Sequence, residues 1–425
     1  MGVLPATAVV VEPTALTLAA LWDTVLLLAF WLDHRAARRG GELVVERLRE
    51  RRLSLGERNR ITLRVTSFAD RPLTLRLMAA PPAGVRREGD EGALLTVPAF
   101  GRRETSYELV PDRRGDHEFG CTRLLVLGPL GLAWQERQGA SPETARVYPS
   151  LLSVKRLQLA AHRRNQHSLG FRKVRRDGEG DEFEKLSDYS SDDEFRRIDW
   201  KATARHGRPI TRVYEAERSQ NVVIAIDCGR MMAARCGPLT KLDAAINAAL
   251  LVAQAALSAD DRVGLLLFAD RVLTYLPPTK GRRQFRAILE ALYSVEASLT
   301  WVDYREAART LRHRLRKRTL ICLFTDLLDP EQSDDLLDAA RVLRRRHLPL
   351  CITTADPGIE AMTRTTPADT GDVYRRVAAT EADDERRALK RTLAAAGARV
   401  LDAAPGELSV AAVNAYVGIK RAGAL

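Results

Sequence analysis

The sequence predicts two fold classes in one chain, all-β followed by α/β, behind a single membrane-anchoring helix. Three regimes of hydrophobic patterning along its 425 residues carry that prediction. An unbroken apolar run near the N-terminus gives way to alternation with period two. That in turn gives way to strand-like apolar runs separated by helix-period segments. The boundaries are residues 1–40 for the anchor, 41–150 for the β domain, 151–220 for a charged connecting segment and 221–425 for the α/β domain.

The anchor rests on Thr14 to Leu32, nineteen residues interrupted only by Asp23. As a helix this run reaches about 28 Å, close to the hydrocarbon thickness of a bilayer. Asp23 calls for a partner helix or an interfacial depth. Arg35, Arg38 and Arg39 follow at once, a charge bias that holds this end in the cytoplasm. A cleaved signal peptide would need a basic leading region, which residues 1–12 lack.

From Glu42 to Pro149 the period is two. Ile61, Leu63 and Val65 alternate with Arg60, Thr62 and Arg64, and Leu73, Leu75 and Leu77 repeat the plan. Turn-forming clusters such as Ala69-Asp70-Arg71-Pro72 and Pro81-Pro82-Ala83-Gly84 divide the runs. Further strands are expected at Leu94 to Val97, Thr105 to Val110, Cys121 to Leu127 and Thr144 to Tyr148. This spacing reads as a β-sandwich, immunoglobulin-like (Ig-like) in size.

Beyond residue 221 the pattern changes again. Val222 to Asp227, Arg262 to Phe268, Leu320 to Asp326, Leu348 to Thr353 and Arg399 to Leu401 are strand runs, with Val272 to Leu276 a short antiparallel neighbour. Leu242, Ile246, Leu250 and Leu257 mark a helix face, and Phe285 to Leu292, Tyr304 to Leu315, Leu336 to Arg346, Glu381 to Ala396 and Val410 to Lys420 read as helices. Strands alternating with helices predict a parallel, Rossmann-type sheet with helices on both faces.

Ahead of this domain lies a block of charges, with seven acids and seven bases between Asp188 and Arg218. Interleaved signs around a single Trp200 suggest a folded, self-paired surface. A charged helical hairpin and a partner-docking surface are the two readings of it. Tyr189, Asp192, Asp193, Arg197, Ile198, Asp199, Trp200, Thr203, Ala204 and Arg205 stand where a known signature asks for them. The run resembles the signature of the bacterial family catalogued as domain of unknown function 58, with Ser191 in place of its usual Gly. Gly128-Pro129-Leu130-Gly131-Leu132 resembles a second family turn, departing from it at Gly128 and Leu130. Relatives in that family commonly carry two spans at this end, so the apolar fragment Gly2 to Val11 is read as a first helix shortened either genuinely or by a start codon assigned too late.

Order and spacing after residue 221 also resemble a von Willebrand factor A-type domain, as membership of that family implies. In metal-binding A-type domains the first strand ends in Asp-x-Ser-x-Ser and a later one in Thr-Asp, hard oxygen ligands suited to Mg²⁺. The strand-end carboxylates are Asp227 and Asp326, the latter preceded by Thr325. Gly229 and Met231 fill the serine positions without a hydroxyl, and Arg230 adds a fixed cation. The metal site is therefore read as degenerate, with Asp227 paired to Arg230 or capping the next helix. Thr300 or Asp303 is the candidate substitute for the loop threonine.

Composition limits the remaining classes. Five cysteines without a C-x-x-C pair argue against a disulfide framework or a zinc knuckle. The net charge of +12 weighs little toward nucleic acid, because only nine of 67 basic residues are Lys. Leu151 to Gly180 holds eight bases and two acids with a single aromatic, no platform for stacked bases. Templates for phosphate-binding loops, zinc proteases and serine hydrolases are missing.

The expected function is non-enzymatic and without a cofactor: a scaffold in the bacterial inner membrane, its folded domains in the cytoplasm. Resemblance implies work beside a MoxR-type AAA+ ATPase and other membrane-associated proteins. Tyr189, Asp192, Asp193, Arg197, Asp199, Trp200 and Arg205 would form the partner-binding surface. The alternative is a divalent-cation-dependent A-type binding domain.

Overall fold

In a computed structural model of the chain, the described residues are 13–39, 41–48, 53–88, 92, 94–149, 177–190, 195, 198–215, 219–237, 239–327 and 332–423. The basic segment 151–176, Asp192, Asp193 and Arg197 lie outside them. The chain divides into two compact units, Met1–Tyr148 and Pro149–Leu425.

The first unit begins with α1, Pro13–Arg39, whose stretch Thr17–Arg39 is long and apolar enough to cross a membrane. Its apolar side chains, among them Leu21, Trp22 and Leu27, are exposed. The helix runs past Leu32 because its last turns are held from outside. Asp33 is buried and accepts backbone N–H groups from Leu130, Leu132 and Ala133 at 2.7, 2.8 and 2.9 Å. The terminal carbonyls, which no helix can satisfy internally, take guanidinium donors. Arg71 donates to Ala36 (3.0 Å), and Arg137 donates to Ala37, to Arg38 (2.8 Å) and to Gly41 (2.8 Å).

Eleven short strands follow among the described residues: β1 Leu43–Leu48, β2 Leu53–Ser54, β3 Asn59–Ser67, β4 Leu73–Ala79, β5 Val85–Glu88, β6 Leu94–Val97, β7 Arg102–Pro111, β8 Gly115–Phe119, β9 Thr122–Leu127, β10 Trp134–Gln138 and β11 Glu143–Tyr148. They pair in the orders β1-β3-β7-β5, β10-β9-β4-β6 and β2-β11-β8. Ile61, Leu63 and Val65 are buried and their neighbours are not, so the period-two reading describes β3 correctly. The strands β1, β2, β5, β8 and β10 were not singled out by alternation. Each lies at a sheet edge, where charged residues such as those of Val85–Glu88 protect unpaired backbone and erase the apolar signal.

Among the described residues of the second unit, the first elements are the antiparallel pair β12, Asp177–Asp188, and β13, Ile210–Glu215, with the short helix α2, Trp200–His206, between them. The charged block is thus a β-hairpin carrying about two helical turns, not a helical hairpin. Next come β14 Asn221–Asp227, the short pair β15 Arg235–Cys236 and β16 Leu239–Thr240, α3 Lys241–Ser258, β17 Arg262–Phe268, β18 Val272–Thr279, α4 Arg282–Tyr293 and α5 Tyr304–Arg314. The chain continues through β19 Thr319–Phe324, α6 Ser333–Arg344, β20 Leu348–Thr354, α7 Pro357–Arg364, α8 Thr370–Ala395, β21 Arg399–Ala403 and α9 Leu408–Arg421.

Six of these strands form one sheet in the order β18-β17-β14-β19-β20-β21, parallel except for β18. Residues 222 to 227 of β14 are all buried, as a strand covered on both faces requires. Val223, Ala225, Leu266, Phe268, Ile321 and Leu323 share one core with α5 and α6. A capping box between Thr240 and Asp243 starts α3, the connection from β14 to β17.

Candidate functional site

The sheet order reverses direction at β14: α3 carries the chain to β17 on one side, and the return crosses to β19 on the other. Such a switch leaves a crevice at the carboxyl ends of the two central strands. Asp227 closes β14 there, and Asp326 follows β19 by two residues.

Both carboxylates are buried and both are already engaged. Asp227 Oδ1 accepts the backbone N–H of Gly229 at 2.7 Å. Its Oδ2 accepts the hydroxyls of Thr325 at 2.7 Å and Tyr304 at 3.1 Å, and those two hydroxyls are 2.7 Å apart. Burial nevertheless pushes the Asp227 carboxyl up to about 6, the hydrogen bonds offsetting only part of the desolvation. The same burial, with Asp227 beside it, holds the Tyr304 hydroxyl well above its ordinary value.

Asp326 meets a cation. Lys241, the first residue of α3, places Nζ 2.5 Å from Asp326 Oδ2, and the side chains are 2% and 1% exposed. The other oxygen, Oδ1, accepts the Leu327 N–H at 2.8 Å. Asp356, the N-cap of α7, adds a second carboxylate 3.8 Å from the same ammonium.

The loop residues considered beside the two carboxylates are engaged elsewhere, and Asp227 does not cap the next helical turn, which Gly229 opens without a side-chain hydrogen bond. Arg230 lies over the Trp301 ring, 3.4 Å from its centroid. Thr300 shares a 2.6 Å hydrogen bond with Ser298, and Asp303 caps α5 through the Glu306 N–H at 2.8 Å. Gly229 allows no larger residue, since a Cβ there would sit 2.3 Å from Val302. No cluster of three His, Cys, Asp or Glu with metal-binding geometry occurs among the described residues. A buried ammonium on Asp326 repels a divalent ion, and Asp227 has three donors aimed at it. These residues do not fit a Mg²⁺ site.

Sequence reasoning missed Lys241, Tyr304 and Asp356. Lys241 left one trace: a lone lysine opening an apolar helix, in a chain whose other cations are mostly Arg. Its compact ammonium fits where a planar guanidinium would demand a wider fork of acceptors.

The hairpin carries the second group of candidates. Asp199 is the N-cap of α2, accepting the N–H groups of Lys201 and Ala202 at 3.0 Å each. Thr203 accepts the Ile210 N–H at 3.0 Å, and Gly207, in the left-handed region at φ 66°, ends the helix. Ile198, Ala202, Ile210 and Thr211 are buried between helix and strands. Tyr189 donates its backbone N–H to Pro209 at 3.0 Å. Arg205 is exposed. Trp200 is 61% exposed and packs edge-on against Phe195, 67% exposed, with ring centroids 5.5 Å apart. Asp199 and Thr203 thus cap and brace the helix, and the aromatic pair at its start is left exposed.

Against known proteins, the family described as "Protein of unknown function DUF58" matches residues 185–399 of the 425, a range that holds α2, β13 and the strand-end carboxylates. The chain belongs to the DUF58 family. Among similar proteins, an uncharacterized protein of Mycobacterium tuberculosis is 25% identical over 257 residues, covering 56% of this chain and 78% of that protein. The uncharacterized protein YeaD of Bacillus subtilis is 28% identical over 178 residues, covering 40% and 44% respectively. Of solved structures, the conserved hypothetical protein BatB from Bacteroides thetaiotaomicron is similar at a TM-score of 0.34 and 15% identity, over 48% of this chain and 99% of that one. An α2-macroglobulin fragment from Escherichia coli reaches a TM-score of 0.23 at 18% identity, covering 26% of this chain and 17% of that one.

Proposed function

We propose that this DUF58 protein is a non-enzymatic, membrane-anchored scaffold whose signature hairpin docks a MoxR-type AAA+ ATPase during assembly or activation of a protein complex. The observation that carries the reading is the Phe195–Trp200 pair, two large aromatic rings left in solvent where α2 begins, Trp200 as its first residue and Phe195 five residues ahead of it. Exposed Trp beside charged residues is the composition of an interface anchor. Arg205, on the same short helix, supplies a charge at its rim.

The strand-end site supports the same reading. Asp326 is paired with Lys241 and Asp227 is occupied by hydroxyl and amide donors, so neither carboxylate is left without a partner to serve a cation. The strand order, with one antiparallel edge and carboxylates at the switch point, supports assignment of the second unit as a von Willebrand factor A-type domain that works without its ion. The alternating strands of the first unit support an Ig-like sandwich. The exposed apolar face of α1 and the trailing Arg35, Arg38 and Arg39 support insertion in the bacterial inner membrane with both units on the cytoplasmic side.

Co-purification of the detergent-solubilised chain with the MoxR-type ATPase of its own genome tests the proposal. Trp200→Ala reduces recovery at least tenfold while leaving the thermal midpoint unchanged. Equal recovery with wild type and variant removes the hairpin from the interface.

A further inference from the structure

The strand-end carboxylates occupy one end of the six-stranded sheet; the other end is strongly basic. Helices α5 and α6 pack side by side, and each descends to the edge where the parallel strands start, α5 into β19 and α6 into β20. Between their carboxyl-terminal ends is a cleft of about 380 Å³ lined by Arg309, Arg312, His313, Val342, Arg345 and Arg346. Its volume falls within the ~300–1,000 Å³ range of small-molecule sites. No carboxylate lines it.

Basic residues at helix ends often complement the helix dipole and are otherwise solvated. The neighbouring arginines show what separates this cleft from that ordinary case. Arg305 is 2.8 Å from Asp335, Arg341 is 3.2 Å from Asp338, Arg314 lies over the Tyr275 ring, and Arg344 donates to the Ala396 carbonyl at 3.2 Å. Every acid on α6 sits in its first six residues, and two of them, Asp335 and Asp338, pair with Arg305 and Arg341. Among the described residues, no ion pair or hydrogen bond engages the side chains of Arg309, Arg312, Arg345 or Arg346. Four guanidiniums therefore converge on one concavity without a counter-charge. Their mutual repulsion is relieved by a multiply charged oxyanion, which planar forks bind in bidentate fashion.

We propose that this cleft is a binding site for a phosphate-bearing anion, either a free oligophosphate or the headgroup of an anionic lipid. The site is distinct from the hairpin and does not depend on its partner. The full chain is reconstituted in nanodiscs of neutral phosphatidylcholine and titrated calorimetrically with tripolyphosphate at about physiological ionic strength, where purely diffuse attraction is screened. Wild type binds saturably. The double variant Arg312→Gln/Arg345→Gln binds at least tenfold more weakly, and Arg387→Gln, which removes a paired arginine from α8, binds as wild type does. Repeating the titration in discs containing phosphatidylglycerol separates the sources. Weakened tripolyphosphate binding there assigns the cleft to a lipid headgroup, and unchanged binding assigns it to a soluble phosphate. Absence of saturable binding in the neutral discs, or equal affinity in the double variant, overturns the proposal.

Discussion

Lys241 Nζ lies 2.5 Å from Asp326 Oδ2, and the two side chains are almost wholly buried. The pair joins the first turn of α3 to the end of β19 and gives the sheet's switch point a cation made of protein. A buried ion pair contributes little net stability against a well-packed apolar pair, but removing one member leaves an uncompensated charge. Lys241→Ala is expected to cost about 3–5 kcal/mol by chemical denaturation. Lys241→Met combined with Asp326→Leu should recover most of that loss. The wild-type thermal midpoint should stay constant as Mg²⁺ or Mn²⁺ is added; a saturable rise would show a metal site that this geometry rejects.

Asp227 sets a pH dependence of a definite sign. Its folded-state pKa is raised to about 6 by burial. Between roughly pH 4 and pH 6 the folded protein holds a proton that the unfolded chain has released. Stability therefore falls as pH rises through that window and levels off above it. At about 1.4 kcal/mol per pKa unit the contribution is on the order of 3 kcal/mol. Unfolding free energies of Asp227→Asn, measured across the same window, should lack that slope.

Asp199 and Trp200 are adjacent, yet their substitutions should fail differently. Loss of the Asp199 cap is expected to cost about 1 kcal/mol and to fray α2, seen as faster amide exchange at Lys201 and Ala202. Trp200→Ala, at an exposed position, should change stability by less than about 0.5 kcal/mol. Only the second variant should lose the partner while remaining folded.

Asp261 ties the last helix to the sheet. Fully buried, it accepts the Tyr416 hydroxyl at 2.5 Å, the Lys420 ammonium at 2.6 Å and the Gln220 N–H at 2.9 Å. Asp261→Ala would strand three donors and is expected to cost about 3 kcal/mol or more. Hydrogen exchange should show α9 opening before the central strands.

Much of this architecture was legible because burial leaves a periodic mark. The alternation of Ile61, Leu63 and Val65 and the unbroken run Val222 to Ile226 state how many faces of each strand are covered. Edge strands such as Trp134–Gln138 carry no such mark. Helix α8 extends eleven residues ahead of its expected start, Glu381, because its leading half is largely exposed and carries no continuous buried stripe to mark it. The candidate site was half legible. Asp227 and Asp326 follow from strand ends, but Lys241 lies 85 residues from Asp326, and only the fold brings ammonium to carboxylate. Asp199 and Gly207 bracket a seven-residue helix; Gly207 after His206 reads as a helix end in the sequence, whereas the charge count around Asp199 masks its role as the N-cap.

The grip of Asp33 on the Leu130–Ala133 turn has a mechanical consequence. With Arg71 and Arg137 closing the end of the same helix, α1 and the β-rich unit form a rigid lever instead of a bead on a flexible string. Any lean or axial roll imposed on α1 is transmitted to the strands behind it without slack.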